Sequence, residues 1–152
     1  MDSLSNEVKL EFSLNTDSKL RSEWIRAKNP VITARIEGKL VVSAHDGIVF
    51  EDNYVLLLEL GSQLSNWLSA CKVGQICDFR YQTIDYDEGP ILLFLRRDGN
   101  KFTIDSPWKQ FESTVEVDSV ALMRAVEVFL GDLRNALWKE FRVKLNDYIN
   151  QP

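Results

Sequence analysis

The stretch Asn53-Tyr54-Val55-Leu56-Leu57-Leu58-Glu59-Leu60-Gly61-Ser62-Gln63-Leu64-Ser65-Asn66-Trp67-Leu68-Ser69-Ala70-Cys71-Lys72-Val73-Gly74 decides the fold. Leu57, Leu60, Leu64, Trp67, Leu68 and Cys71 recur every three or four residues, the spacing that gathers side chains on one face of an α-helix. Asp52 or Asn53 is placed to cap the helix, because a short side-chain acceptor satisfies an orphan N–H. Gly74 closes it as a residue that tolerates positive φ. Gly61 sits in the interior, where glycine costs ~1 kcal/mol relative to alanine. Its presence there predicts close packing against that face.

On either side of this helix the period changes from near four to two. Upstream, Val8, Leu10, Phe12 and Leu14 alternate with Glu7, Lys9, Glu11 and Ser13, which reads as a half-buried strand. Leu20, Trp24 and Ala27 have helical spacing and Asn29-Pro30 stops it, so a short helix is expected within 17–29. Ile32, Ala34 and Ile36 read as a strand, Glu37-Gly38-Lys39 as its turn, and Leu40, Val42 and Ala44 as the return. Asp46-Gly47 is a hairpin signal, joining that strand to Ile48-Val49-Phe50.

Downstream, Cys77, Phe79 and Tyr81 alternate with Asp78, Arg80 and Gln82, and the apolar set then switches parity at Ile84 and Tyr86. That slip predicts a β-bulge or a strand end near Gln82-Thr83. Ile91 to Leu95 is apolar on both faces, as in a central strand covered on both sides. Arg97-Asp98-Gly99-Asn100 marks a second hairpin leading to Phe102 and Ile104. Phe111, Val115 and Val117 give a further amphipathic strand.

Asp118 caps the last helix, with Val117 and Leu122 spaced as a hydrophobic staple. Leu122, Val126, Phe129, Leu133, Leu137, Phe141, Leu145 and Tyr148 form its stripe, broadened by Trp138. Unbroken to Asn150, this helix is about 48 Å long at 1.5 Å per residue. A compact domain of this size is shorter, so either Gly131-Asp132 kinks it or residues 135–150 project and need a partner. A second copy could then meet a face of Leu137, Phe141, Leu145 and Tyr148. Runs of strands separated from helices define an α+β fold: a mostly antiparallel sheet of about six to seven strands, with two main helices packed on one face, the C-terminal one long. No domain boundary is visible, and residues 1–152 read as one domain.

The chain has 152 residues, 45% of them hydrophobic and 27% charged, with a net charge of −5. An acidic balance with scattered Lys and Arg argues against nucleic acid as a partner. The N-terminus lacks the basic and apolar regions of a secretory signal, and the longest apolar runs are far short of a membrane span. The chain therefore reads as cytoplasmic, with no membrane association. Cys71 and Cys77, six apart, lack the further Cys or His ligands of a structural zinc site; a disulfide between them is conceivable, but a domain of this size does not need one, so they read as buried thiols. His45 stands beside Asp46 with no nucleophile placed near it. No phosphate-binding loop, dinucleotide fingerprint or nucleophile elbow is present. No catalytic residue, metal site or cofactor is assigned.

Charge clusters in one place. Asp78, Asp85, Asp87 and Glu88 lie against Arg80 alone, interleaved with Tyr81 and Tyr86. Three readings follow. The carboxylates of 85–88 could ligate a divalent cation and serve a metal-dependent hydrolase, although the spacing is not that of an EF-hand. They could form a solvated acidic turn. Or acids and aromatics together could bind a basic protein partner, tyrosine supplying rigid contact area and carboxylates speeding encounter. Trp108, directly after Pro107, is either a plug over a sheet edge or a further anchor for that partner.

The leucine-rich block 53–68, the string Tyr86-Asp87-Glu88-Gly89-Pro90-Ile91-Leu92-Leu93-Phe94, and Ile104-Asp105-Ser106-Pro107-Trp108 together resemble small bacterial α+β proteins of the immunity type, encoded beside polymorphic toxins. The resemblance covers roughly residues 47–130. It implies a cytoplasmic, non-catalytic protein that neutralises a toxin by binding it, and it carries over no functional residue.

Overall fold

The computed structural model describes residues 8–17, 19–45, 47–86, 88–107 and 115–149. Glu7, Asp46, Asp87, Trp108, Phe111 and Asn150, which the sequence reading uses, lie outside them.

The first strand forms where the alternation predicts it. In β1 (Val8–Leu14), Val8 and Leu10 are buried while Lys9, Glu11 and Ser13 face solvent. A short helix α1 (Ser22–Arg26) follows. Residues 30–34 are not a strand. Asn29 accepts the Val31 N–H at 3.0 Å through Oδ1, and Pro30 opens a single 3-10 turn that buries Ile32. A side-chain acceptor followed by proline is a helix-start signal, and here it overrides the apparent alternation of Ile32, Ala34 and Ile36.

Glu37-Gly38-Lys39 is not a turn either. Gly38 lies inside β2 (Glu37–Ala44), where a Cβ would meet Ser13 O at 2.3 Å and Leu57 Cδ1 at 2.6 Å. This glycine serves close approach, not chain reversal. The chain reverses after Ala44, with His45 at φ +53°, and Ala44 pairs with Gly47 as β3 (Gly47–Leu56) begins. β3 runs through Asp52 and Asn53, so neither caps the helix. Asp52 Oδ1 instead accepts the Tyr54 N–H at 3.2 Å.

Helix α2 (Leu57–Lys72) buries its whole predicted stripe of Leu57, Leu60, Leu64, Trp67, Leu68 and Cys71. It ends as Gly74 predicts. With Gly74 at φ +89°, its N–H donates to Cys71 O and the Gln75 N–H donates to Ala70 O, the paired bonds of a Schellman cap. Gly61 packs as expected, for a Cβ there would lie 2.6 Å from Leu133 Cδ2 and 3.4 Å from Leu145 Cδ1.

The remaining strands are β4 (Phe79–Tyr81), β5 (Leu92–Arg97), β6 (Lys101–Asp105) and β7 (Val115–Asp118). β4 ends at Tyr81, which accounts for the parity switch. β5 is central, but Leu93 and Leu95 are only half-buried, so its second face is partly covered. Asp98-Gly99-Asn100 turns the chain into β6, with Gly99 and Asn100 at positive φ. The fold is α+β, and the seven strands among the described residues divide into two antiparallel sheets, β1-β2-β3 and β4-β5-β6-β7, each a sequential meander. Trp67 pins α2 to the second sheet, its ring 5.6–6.0 Å from those of Phe79, Phe94 and Phe102. Edge-on aromatic pairs of this kind contribute ~0.5–1.5 kcal/mol each beyond area burial. His45 Nε2 lies 2.7 Å from Glu116 O, linking the hairpin of the first sheet to β7.

Helix α3 (Ser119–Phe141) continues unbroken through Gly131 and lies on β1, where Phe129 meets Phe12 edge-on at 5.5 Å. Asp118 holds the N-cap position without a side-chain cap, its carboxylate pairing with Lys101 Nζ at 2.8 Å instead. The expected projecting end does not exist. Arg142 adopts φ +57°, its N–H donates to Trp138 O, and the chain turns back. Residues 145–148 form a 3-10 turn against α2, with Ser62 Oγ donating to Tyr148 O at 2.8 Å. Leu137, Leu145 and Tyr148 are thus buried in the fold and Phe141 is half-buried. They complete this chain's own core and are not a face offered to a second copy.

Candidate functional site

The acidic segment occupies the connection between β4 and β5, and the helix beside it dictates its shape. Tyr81, the last residue of β4, is 1% exposed, so it does not belong to a surface patch. Its hydroxyl donates to Glu59 Oε1 at 2.7 Å. Burial, followed by the nearby Glu59 charge, pushes the phenol far above its usual range and keeps it a donor. The other oxygen of Glu59 accepts the Ile84 N–H at 3.1 Å. One turn on, Gln63 grips Gln82 from both sides: Gln63 Nε2 donates to Gln82 O at 2.9 Å, and Gln63 Oε1 accepts the Gln82 N–H at 3.3 Å.

The connection is also tied to itself. Gln82 Nε2 donates to Tyr86 O and Gly89 O, the Tyr86 N–H to Thr83 O, and the Asp85 N–H to Thr83 Oγ1. At its end the Ile91 N–H donates to Tyr81 O at 3.1 Å, and Ser106 Oγ donates to Ile91 O. Each such bond contributes ~0.5–1.5 kcal/mol net, so together they hold an irregular stretch in one conformation.

What this scaffold presents is Ile84, 73% exposed, with Asp85 and Glu88 also exposed and Tyr86 half-buried. A large aliphatic side chain held out on a hydrogen-bonded loop among carboxylates is a poor contributor to folding and a good contact for another molecule. Asp78 is not part of the group. It accepts the Arg96 N–H at 2.7 Å and pairs with Arg80 Nη2 at 3.3 Å, so its charge is neutralised at the β4–β5 pairing.

Sequence reading missed Ile84 as the tip, and Glu59 and Gln63 as its anchors. The parity switch at Ile84 was the available signal for the tip. Among the described residues no three His, Cys, Asp or Glu side chains are grouped to hold a metal ion. Cys71 is buried, but Cys77 is exposed, contrary to the expectation of two buried thiols, because it lies on the strand approach rather than on the stripe of α2. No described helix is long and apolar enough to cross a membrane.

These features define a two-sheet α+β domain whose central helix anchors a presented acidic and apolar loop. The chain belongs to the family described as Domain of unknown function (DUF7878), whose model matches residues 10–139. No curated protein matches it, and no solved structure does. The matched span begins inside β1, takes in the rest of both sheets, α2 and the loop, and stops before the return of residues 142–149.

Proposed function

We propose that the protein is a non-catalytic, cytoplasmic binding protein of the immunity type, which captures a basic protein partner through the loop of Ile84, Asp85 and Glu88. The observation that carries this reading is the exposure of Ile84 on a loop fixed by Glu59 and Gln63. An anchor already fixed in place loses little conformational entropy when it binds. Burying one isoleucine against a partner contributes ~1.5–3 kcal/mol. Asp85 and Glu88 at the rim raise the encounter rate with a cationic surface and make it salt-dependent. Asp87, one residue from Glu88 in sequence, adds to the same charge. Tyr86 and Trp108 remain the aromatic candidates for flanking contact.

Photo-crosslinking in the native cell tests this reading. A crosslinking side chain at position 84 should yield one dominant adduct with a basic protein, weakened by added salt. The same group at Val128, which is exposed on α3, should yield none. Equal adducts from both positions, or none from position 84, would refute it.

A further inference from the structure

Cys71 and Cys77 are both free thiols, the first buried in the last turn of α2 and the second exposed on the approach to β4. The chain between them folds back on itself through the Schellman cap at Gly74. Two side chains then fix the returning segment. The Trp67 indole N–H, one turn before Cys71 on the same stripe, donates to Cys77 O at 2.8 Å. The Arg96 guanidinium donates to Ile76 O at 3.0 Å. Residue 77 is thereby laid alongside the end of α2. The Cys77 backbone is close enough to the Cys71 thiol to favour its thiolate.

From this juxtaposition we infer that Cys71 and Cys77 form a reversible disulfide, a modification site that reacts with small disulfides of the glutathione class and staples α2 to β4. The exposed Cys77 thiolate attacks one sulfur of the small disulfide, forming a mixed disulfide and expelling one thiolate, which solvent protonates. The Cys71 thiolate then attacks the Cys77 sulfur, forming the internal S–S bond and expelling the second small thiol. Two protein thiols are oxidised and one small disulfide is reduced to two thiols. Burial pushes the Cys71 thiol up, while the Cys77 backbone and the Arg96 charge act in the opposite sense. Cys77 is therefore the entry point and Cys71 the resolving thiol. The bond would tie the helix that carries Glu59 and Gln63 to the strand leading into their loop.

The full-length reduced protein, held dilute in oxidised glutathione, provides the test. After acid quench and alkylation, mass spectrometry should show a monomer lighter by two hydrogens, with neither cysteine alkylated and dithiothreitol restoring both. Its melting temperature should exceed that of the reduced protein by a few degrees. C71S should stop at glutathione on Cys77, and C77S should stay unmodified while folded. A wild-type protein that ends as a stable Cys77–glutathione adduct, as a disulfide-linked dimer, or with Cys71 still open to alkylation on unfolding overturns the inference, whether or not C71S folds.

Discussion

Gly61 and Gly131 both lie inside long helices, and replacing each with alanine should shift stability in opposite directions. Alanine is favoured over glycine in a helix by ~1 kcal/mol. At Gly131 a Cβ would meet no atom within 4 Å, so G131A should gain most of that amount. For a chain of this size the gain corresponds to about 2–4 °C in melting temperature. At Gly61 the same Cβ would lie 2.6 Å from Leu133 Cδ2, 3.4 Å from Leu145 Cδ1 and 3.9 Å from Leu130 Cδ2. All three leucines are buried, Leu133 completely, so none can swing into solvent to make room. Overpacking a dense core costs ~1–3 kcal/mol, which exceeds the propensity gain and leaves G61A destabilised by up to about 2 kcal/mol. Urea unfolding followed by circular dichroism reads both, with the midpoints compared at constant slope. If G61A were stabilised as much as G131A, the approach of α2 to α3 and to the returning 145–148 turn would be wrong.

Removing Glu59 should loosen the loop and the fold together: E59A leaves the Ile84 N–H without its acceptor and the Tyr81 hydroxyl with only the 3.4 Å bond to Leu56 O, costs ~1–3 kcal/mol, and accelerates amide hydrogen exchange at Ile84. Unchanged exchange at Ile84 would count against the anchoring role. The Tyr148 hydroxyl is buried with no hydrogen-bond partner among the described residues, so Y148F should be neutral or stabilising by ~1 kcal/mol in thermal unfolding, and a marked loss would reveal a partner. Lys72, by hydrogen bond and by charge, holds the Glu127 carboxyl below its ordinary value of 4.5. Its contribution is complete above that value and fades as pH falls through the lower folded one. The melting-temperature advantage of wild type over E127Q should therefore be present at neutral pH and vanish in strong acid, and a constant difference would contradict this.

Much of the fold was legible because local pattern and tertiary role agree. Alternation from Val8 to Leu14, the stripe from Leu57 to Cys71, and Gly74 and Gly99 each do in the structure what their chemistry suggests. The errors share a cause. Leu137, Phe141, Leu145 and Tyr148 keep a spacing of three or four, yet the last two belong to a chain that has reversed. The reversal falls on Arg142, a residue type with no preference for positive φ, so no sequence signal marks it. Gly38 reads as a turn because glycine is permissive, whereas its use here is the absence of a side chain. The clustered charge pointed to the connection between β4 and β5, but it also credited Asp78 and Tyr81, which the β4–β5 pairing and α2 absorb. Glu59 and Gln63 were invisible as anchors because their partners lie 19–25 residues away and meet them only in the folded chain.

The role of the loop is tested most directly by titrating the protein crosslinked at position 84, once purified, against wild type and an I84A/D85N/E88Q variant. All three side chains point into solvent, so the variant should melt within a degree or two of wild type. Its affinity should fall at least tenfold, about 1.4 kcal/mol, with a shallower dependence on salt. Equal affinity and equal salt dependence for the two proteins would contradict the account.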